Sequence, residues 1–167
     1  ITFLISQQKT IPKIREAVEA LAKKYGAKRT AALSDGSIRT YYSFPSPEEL
    51  ASASLDDLLT LKLGYRAKYI CAAARQVTSG AVDLEAVRHM DYAHAKAELL
   101  RLTGVGIKVA ECICLFALHH IDAFPVDTHI RQMLDAHYPK GFPLKRYKGF
   151  AGVMQQYAFY YELSLKD

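Results

Sequence analysis

Cysteine is scarce in this 167-residue chain: Cys71, Cys112 and Cys114 are the whole supply, an odd number with no C-x-x-C pair. A disulfide framework and a structural zinc site therefore lack support, no four-cysteine cluster exists to hold iron and sulfur, and a reducing compartment is expected. Glycine and proline, at 9 and 6 residues, are too few for a collagen, linker or mucin-like chain. Long apolar runs are missing as well: the longest mostly apolar stretch, residues 109–118, is broken by Glu111 and is about half the length of a membrane span. The chain opens on Ile1 inside an apolar run with Phe3, Leu4 and Ile5. No basic region precedes that run, so it does not read as a signal peptide, and a further segment upstream is expected.

What is present suits a soluble, helix-rich domain. Hydrophobic residues make up 50% of the chain and charged ones 23%, well above the apolar content of a disordered segment. A domain of this size buries somewhat under about 70% of its unfolded surface and needs no metal or disulfide to hold together. Lys and Arg number 22 against 17 Asp and Glu, a net charge of +5. That modest excess points to a local basic face, around Lys9, Lys13, Arg66 and Lys68, rather than a globally basic surface.

Apolar residues Ile11, Ile14, Val18, Leu21 and Ala22 recur at helical spacing over 9–25, with Gly26 as the stop. Over 27–44 that period gives way to Ser-Asp-Gly and Thr-Tyr-Tyr patterns, the one place for a short strand pair or long loop. Ser46 and Ser54 each open a short helix with an acidic first turn. Further helices are predicted over 65–78, 83–90, 92–102 and 107–118, the last apolar almost all round and therefore buried. Asp127 or Thr128 caps a helix over 129–137, and a final helix covers 149–163.

Chemistry concentrates around the third-last of these helices. Gly104 and Gly106 bracket a turn that can reverse the chain and present N–H groups to a phosphate at a helix start, although such a turn is also a plain connection. Lys108 sits in the first turn of the apolar helix, where burial and the positive helix end both favour a neutral amine, and a neutral amine can attack carbon. A lone lysine there more often snorkels to water. A helix of about 12 residues climbs about 18 Å, and the roughly eight residues after it can span about 27 Å, so Asp127 can return beside Lys108. Asp127 can equally be only a cap, or both. Cys112 shares the Lys108 face one turn on. Gly152, Gln155 and Phe159 form a stripe on the last helix that could read and stack a base, or simply pack. His119, His120, His129 and His137 do not match a metal-ligand spacing.

With Leu-Thr-Gly-Val-Gly-Ile-Lys-Val-Ala at 102–110 and Pro-Val-Asp-Thr-His at 125–129, the sequence resembles the helix-hairpin-helix (HhH-GPD) DNA glycosylases, in particular the branch acting on 8-oxoguanine. Phe3-Leu4-Ile5-Ser6-Gln7-Gln8 and Leu63-Gly64-Tyr65-Arg66-Ala67-Lys68-Tyr69-Ile70 extend the likeness over nearly the whole chain. The resemblance implies an all-α fold of two helical subdomains with the active site in the cleft between them. The expected division is 1–127, including the hairpin 102–106, and 128–167, with an N-terminal sheet domain missing upstream. It implies base-excision repair of double-stranded DNA containing oxidised guanine, by a bifunctional glycosylase and AP lyase acting as a monomer away from membranes. Its place would be the cytoplasm and nucleoid of a prokaryote or the nucleus of a eukaryote. No cofactor is implied beyond a monovalent cation at the hairpin when DNA is bound.

Residue by residue, the resemblance makes Lys108 the amine that attacks the sugar C1′ and Asp127 the carboxylate that assists it. Cys112 and Phe159 would flank the extruded base and Gln155 would bond its edge. Gly104, Gly106 and His129 would contact phosphate. Gln8 would enter the emptied stack, Tyr65 would wedge beside the opposite base, and Lys13 and Arg66 would read the orphaned cytosine. Lys13 and Gln8 depart from the family's arginine and asparagine, and a lysine cannot make the forked contact with a base edge, which relaxes the preference for cytosine. A monofunctional glycosylase of the same fold and a non-catalytic hairpin module are the alternatives.

Overall fold

In the first third of the chain, amphipathic spacing becomes helix and the aperiodic stretch becomes sheet. The computed structural model describes residues 1–164. It places α1 at Thr2–Ser6, α2 at Ile11–Tyr25, strands β1 at Lys28–Ala32 and β2 at Ile38–Tyr42, then α3 at Pro47–Ala51, α4 at Leu55–Thr60 and α5 at Arg66–Thr78. Ser46 and Glu49 close a reciprocal capping box on α3: the Ser46 hydroxyl accepts from the Glu49 N–H at 3.2 Å, and the Glu49 carboxylate accepts from the Ser46 N–H at 2.7 Å. β1 and β2 pair antiparallel, Thr30 opposite Thr40, around a turn in which Asp35 accepts from the Ser37 N–H and hydroxyl.

The rest continues with α6 at Leu84–Arg88, α7 at Tyr92–Leu99, α8 at Ile107–Phe116, α9 at Thr128–His137 and α10 at Ala151–Ser164, with a 3-10 turn at Leu144–Tyr147 that the sequence pattern does not announce. The described residues are mainly helical, as the patterning predicts, and the stretch 27–44, open between a strand pair and a loop in the sequence, is a strand pair. Packing divides it into two compact units elsewhere than at the expected 127/128. One comprises Ile1–Leu84 and Leu102–Gly104, the other Glu85–Arg101 and the chain from Val105 onward.

The first unit is centred on Ile5, Leu21, Leu50, Leu58, Leu63 and Ile70, all essentially fully buried. Each such side chain contributes about 1.5–3 kcal/mol. In the second unit α7 packs on α8, and α9 on α10. Residues 105–127 belong with α9 and α10 because their backbone is stitched there: Gly152 N–H donates to the Ile121 carbonyl at 2.8 Å, and Asp122 accepts from the Gly149 N–H at 2.6 Å. Gly152 permits that approach, since a Cβ there would lie 2.4 Å from the Ala123 carbonyl oxygen and 2.5 Å from Leu115 Cδ1. Gly152→Ala should therefore lower stability by about 1–3 kcal/mol, as overpacked sites do, and thermal melting of the two chains measures it.

Candidate active site

In the second unit, Gly106 is the N-cap of α8, so the first turn carries no side-chain cap. Lys108, half-buried, lies within hydrogen-bonding reach of the Cys112 thiol one helical turn further on, as the four-residue spacing requires. Asp127 is the residue before α9, and its carboxylate accepts from the Ile130 N–H at 2.9 Å, so it is the N-cap and Thr128 is the first helical residue. Its charge is felt at Cys112, which places Lys108, Cys112 and Asp127 in one neighbourhood.

Burial pushes the Cys112 thiol up, against the pull of the Lys108 charge and with the Asp127 and Glu111 carboxylates adding to the rise. Cys114 is pushed up to about 11 by burial and by Glu111. Both are therefore thiols at neutral pH.

On α10, Gln155 is almost completely buried, and its amide is already engaged: Nε2 donates to the Pro125 carbonyl at 2.9 Å, and Oε1 accepts from the Gln156 amide. Each atom keeps one further bonding direction. Phe159 is half-buried, with the His129 ring edge-on at 6.0 Å between centroids. Sequence reasoning noted Glu111 as a charge in an apolar helix but gave it no role. It is buried and bonded on both oxygens, and a carboxylate in an otherwise apolar helix was the available signal.

The residues in the first unit depart further from expectation. Arg66 is the residue that the resemblance sets against the orphaned cytosine. It is 7% exposed, and its guanidinium is turned onto the chain: Nε donates to the Gln7 carbonyl at 2.7 Å, Nη1 to Leu63 at 3.3 Å, and Nη2 to Gln8 at 3.2 Å and to Gln7. α1 ends at Ser6, and the Gln7 and Gln8 carbonyls just beyond it need donors, which the forked side chain of Arg66 supplies from 59 residues further along. Gln8, held there, is exposed with a φ of +49°.

Tyr65 is 41% exposed, stacks its ring on Arg66 at 4.5 Å and meets Tyr69 edge-on. Lys13 is exposed and paired with Glu16 at 3.0 Å. Desolvation, helped by the nearby Arg66 and Lys13 charges, holds the Lys9 ammonium below the ordinary value. Gly104 has a φ of +87°, and a Cβ would meet the Tyr69 ring at 2.4 Å, so glycine is required twice over. Its carbonyl accepts from the Gln7 amide at 3.0 Å. Among the described residues no group of three or more His, Cys, Asp and Glu could hold a metal ion, and no helix is long and apolar enough to cross a membrane.

Residues 1–141 match the HhH-GPD superfamily of base excision DNA repair proteins, and the chain belongs to that family. It is 34% identical over 149 residues to an N-glycosylase/DNA lyase of Saccharomyces cerevisiae, covering 83% of this chain and 39% of that protein. It is 33% identical over 148 residues to a probable N-glycosylase/DNA lyase of Methanothermobacter thermautotrophicus, covering 72% of this chain and 47% of the relative. Its fold superimposes on the Clostridium acetobutylicum 8-oxoguanine glycosylase/lyase, solved with double-stranded DNA containing cytosine opposite to 8-oxoG. That match has a TM-score of 0.87 and 29% identity, over 99% of this chain and 59% of that one. The chain thus spans less than half the length of the two curated relatives.

Two outcomes follow from this geometry. Native protein should react slowly with iodoacetamide at pH 7.5 and completely once unfolded, because all three cysteines are buried; rapid native alkylation of Cys112 would instead reveal a thiolate. Arg66→Ala should cost about 1–3 kcal/mol in denaturant unfolding, since the carbonyls of Gln7 and Gln8 lose the guanidinium as donor, while Leu63 keeps the backbone N–H of residue 66.

Proposed function

We propose that this chain carries the catalytic part of a bifunctional DNA glycosylase and AP lyase that removes 8-oxoguanine from double-stranded DNA. The observation that carries the reading is the Lys108, Cys112 and Asp127 neighbourhood on α8 and at the start of α9, inside a chain of this family. Similarity to glycosylase/lyases supports the activity, and similarity to a structure bound to 8-oxoG opposite cytosine supports the substrate.

The glycosidic carbon is unreachable in a stacked duplex, so the reaction starts with base flipping. Backbone N–H groups of the 102–106 hairpin and of the uncapped start of α8 suit a phosphate, with Gly104, Gly106 and His129 as contacts. The Lys108 amine, which faces a protonated thiol rather than a thiolate, attacks C1′. The C1′–N9 bond breaks, and the base leaves with a proton. Asp127 stabilises the positive charge that develops on the sugar. The amine and opened sugar form a Schiff base, whose electron sink permits loss of the C2′ proton and elimination of the 3′ phosphate.

Cys112 and Phe159 flank the extruded base, and Gln155 meets its edge with its remaining bonding directions. Gln8, Tyr65 and Lys13 act on the vacated stack and the opposite base. Arg66 acts there by shaping the Gln7–Gln8 backbone, and direct reading of cytosine would require its guanidinium to release three carbonyls. The reaction itself draws on no cofactor. Affinity comes mostly from phosphate contacts and weakens with salt.

Borohydride trapping on a duplex with one 8-oxoguanine opposite cytosine, beside an abasic duplex, tests the reading. A covalent adduct with both duplexes that disappears in Lys108→Gln is expected. Trapping on the abasic duplex alone would assign lesion recognition to a part of the protein outside this chain, and no trapping on either would overturn the lysine mechanism.

A further inference from the structure

Glu111 is a buried charge for which the proposed chemistry has no use. It stands three residues after Lys108 in α8 and is 6% exposed. Removing a carboxylate from water costs several kcal/mol unless good partners replace the solvent. One oxygen accepts from the Tyr92 hydroxyl at 2.5 Å and from the Lys96 ammonium; the other accepts from the backbone N–H of Phe124 at 3.2 Å. Tyr92 and Lys96 are four residues apart on α7 and share a face, so α7 supplies the countercharge. Phe124 belongs to the irregular chain between α8 and α9, three residues before Asp127, so the two are separated by at most about 10 Å of backbone. The same segment is fixed on its other side by Gln155, which donates to the Pro125 carbonyl.

We infer that Glu111 is a positioning residue: by holding the Phe124 N–H, it sets where the Asp127 carboxylate stands relative to the Lys108 amine. The inference rests on the reading of Lys108 and Asp127 as the reacting pair. Glu111 and Lys108 project from one short helix, so the bond from Glu111 to Phe124 gauges the returning segment against the helix that carries the nucleophile. A slack Phe124 leaves the segment tied through Pro125 to Gln155 of α10 but no longer tied to α8, so Asp127 can shift with α9 and α10 relative to the helix that carries Lys108.

Single-turnover cleavage of an abasic duplex at saturating protein reads the chemistry independently of binding, with duplex Kd and thermal melting measured in parallel. Glu111→Leu removes the acceptor and should slow cleavage about 10- to 100-fold, the cost of an ångström-scale misplacement. Duplex Kd should change by less than about threefold. Glu111→Gln keeps an acceptor for Phe124 and should restore the rate to within about threefold of the unsubstituted chain. In an Asp127→Asn background, Glu111→Leu should cost less than about threefold more, because both substitutions remove one coupled arrangement. Should Glu111→Leu not fold, Glu111→Leu with Lys96→Met removes both charges at once and carries the same expectations.

A folded leucine variant that cleaves at the unsubstituted rate overturns the inference. A glutamine variant as slow as leucine, or an undiminished loss in the Asp127→Asn background, does so too. If the unsubstituted chain forms no Lys108-dependent borohydride adduct, the lysine mechanism falls and takes the inference with it. An adduct together with a rate indifferent to Glu111 removes the inference alone.

Discussion

The chain that returns from α8 to α9 must find partners for its backbone without forming a helix or strand, because a buried N–H or carbonyl left unpaired costs about as much as a lost hydrogen bond. Its partners come from two directions, α8 and α10. The Cys114 carbonyl takes the His120 N–H at 2.9 Å, the Ile121 carbonyl takes the Gly152 N–H at 2.8 Å, and the Pro125 carbonyl takes the Gln155 amide at 2.9 Å. Phe124 N–H goes to Glu111. Asp122, inside the segment, repays α10 by accepting from the Gly149 and Ala151 N–H groups. The segment is thereby pinned to α8 on one side and α10 on the other, and it ends at Asp127. The neighbourhood of Lys108, Cys112 and Asp127 is a consequence of this stitching.

Electrostatics in the second unit follow from the same burial. The Glu111 charge, compensated by Lys96, raises the neighbouring acids: Tyr92 is pushed up by burial and by its bond to Glu111, so it remains a phenol that donates. The Cys112 and Cys114 thiols are raised in the same direction, so burial and an adjacent carboxylate work together against thiolates on α8. Lys108 has a protonated thiol for a neighbour, an arrangement suited to an amine that must act as a nucleophile.

The first unit solves a comparable problem with a cation. α1 is only five residues long and cannot pair the carbonyls at its end internally, and the Arg66 fork closes them. The ring of Tyr65 lies against the guanidinium, which further fixes its plane. In both units, then, a buried charged side chain serves irregular backbone, Glu111 behind the segment leading to Asp127 and Arg66 behind the one bearing Gln8. Each holds in place a residue to which the proposed reaction gives a role.

By itself the sequence determined α2 to α10 in outline, the Ser46 and Ser54 caps, and that a strand pair, if present, would lie within 27–44, but it announced neither α1 nor the 3-10 turn. These rest on spacings of two to four residues, and the apolar stripe of α2, the Ser46–Glu49 box and the Asp127 cap are local physics. It also placed Lys108 and Cys112 on one face, since a four-residue interval in a helix leaves little choice. Only the tertiary structure decided which way Arg66 turns, what occupies Gln155, where the units divide and why Glu111 is buried. Those outcomes depend on partners far along the chain, 59 residues away for Arg66 and Gln7, 30 for Gln155 and Pro125, 13 for Glu111 and Phe124. A side chain's local sequence fixes its chemistry and its face, but the unpaired backbone group it meets is supplied by the packing of elements distant in the chain.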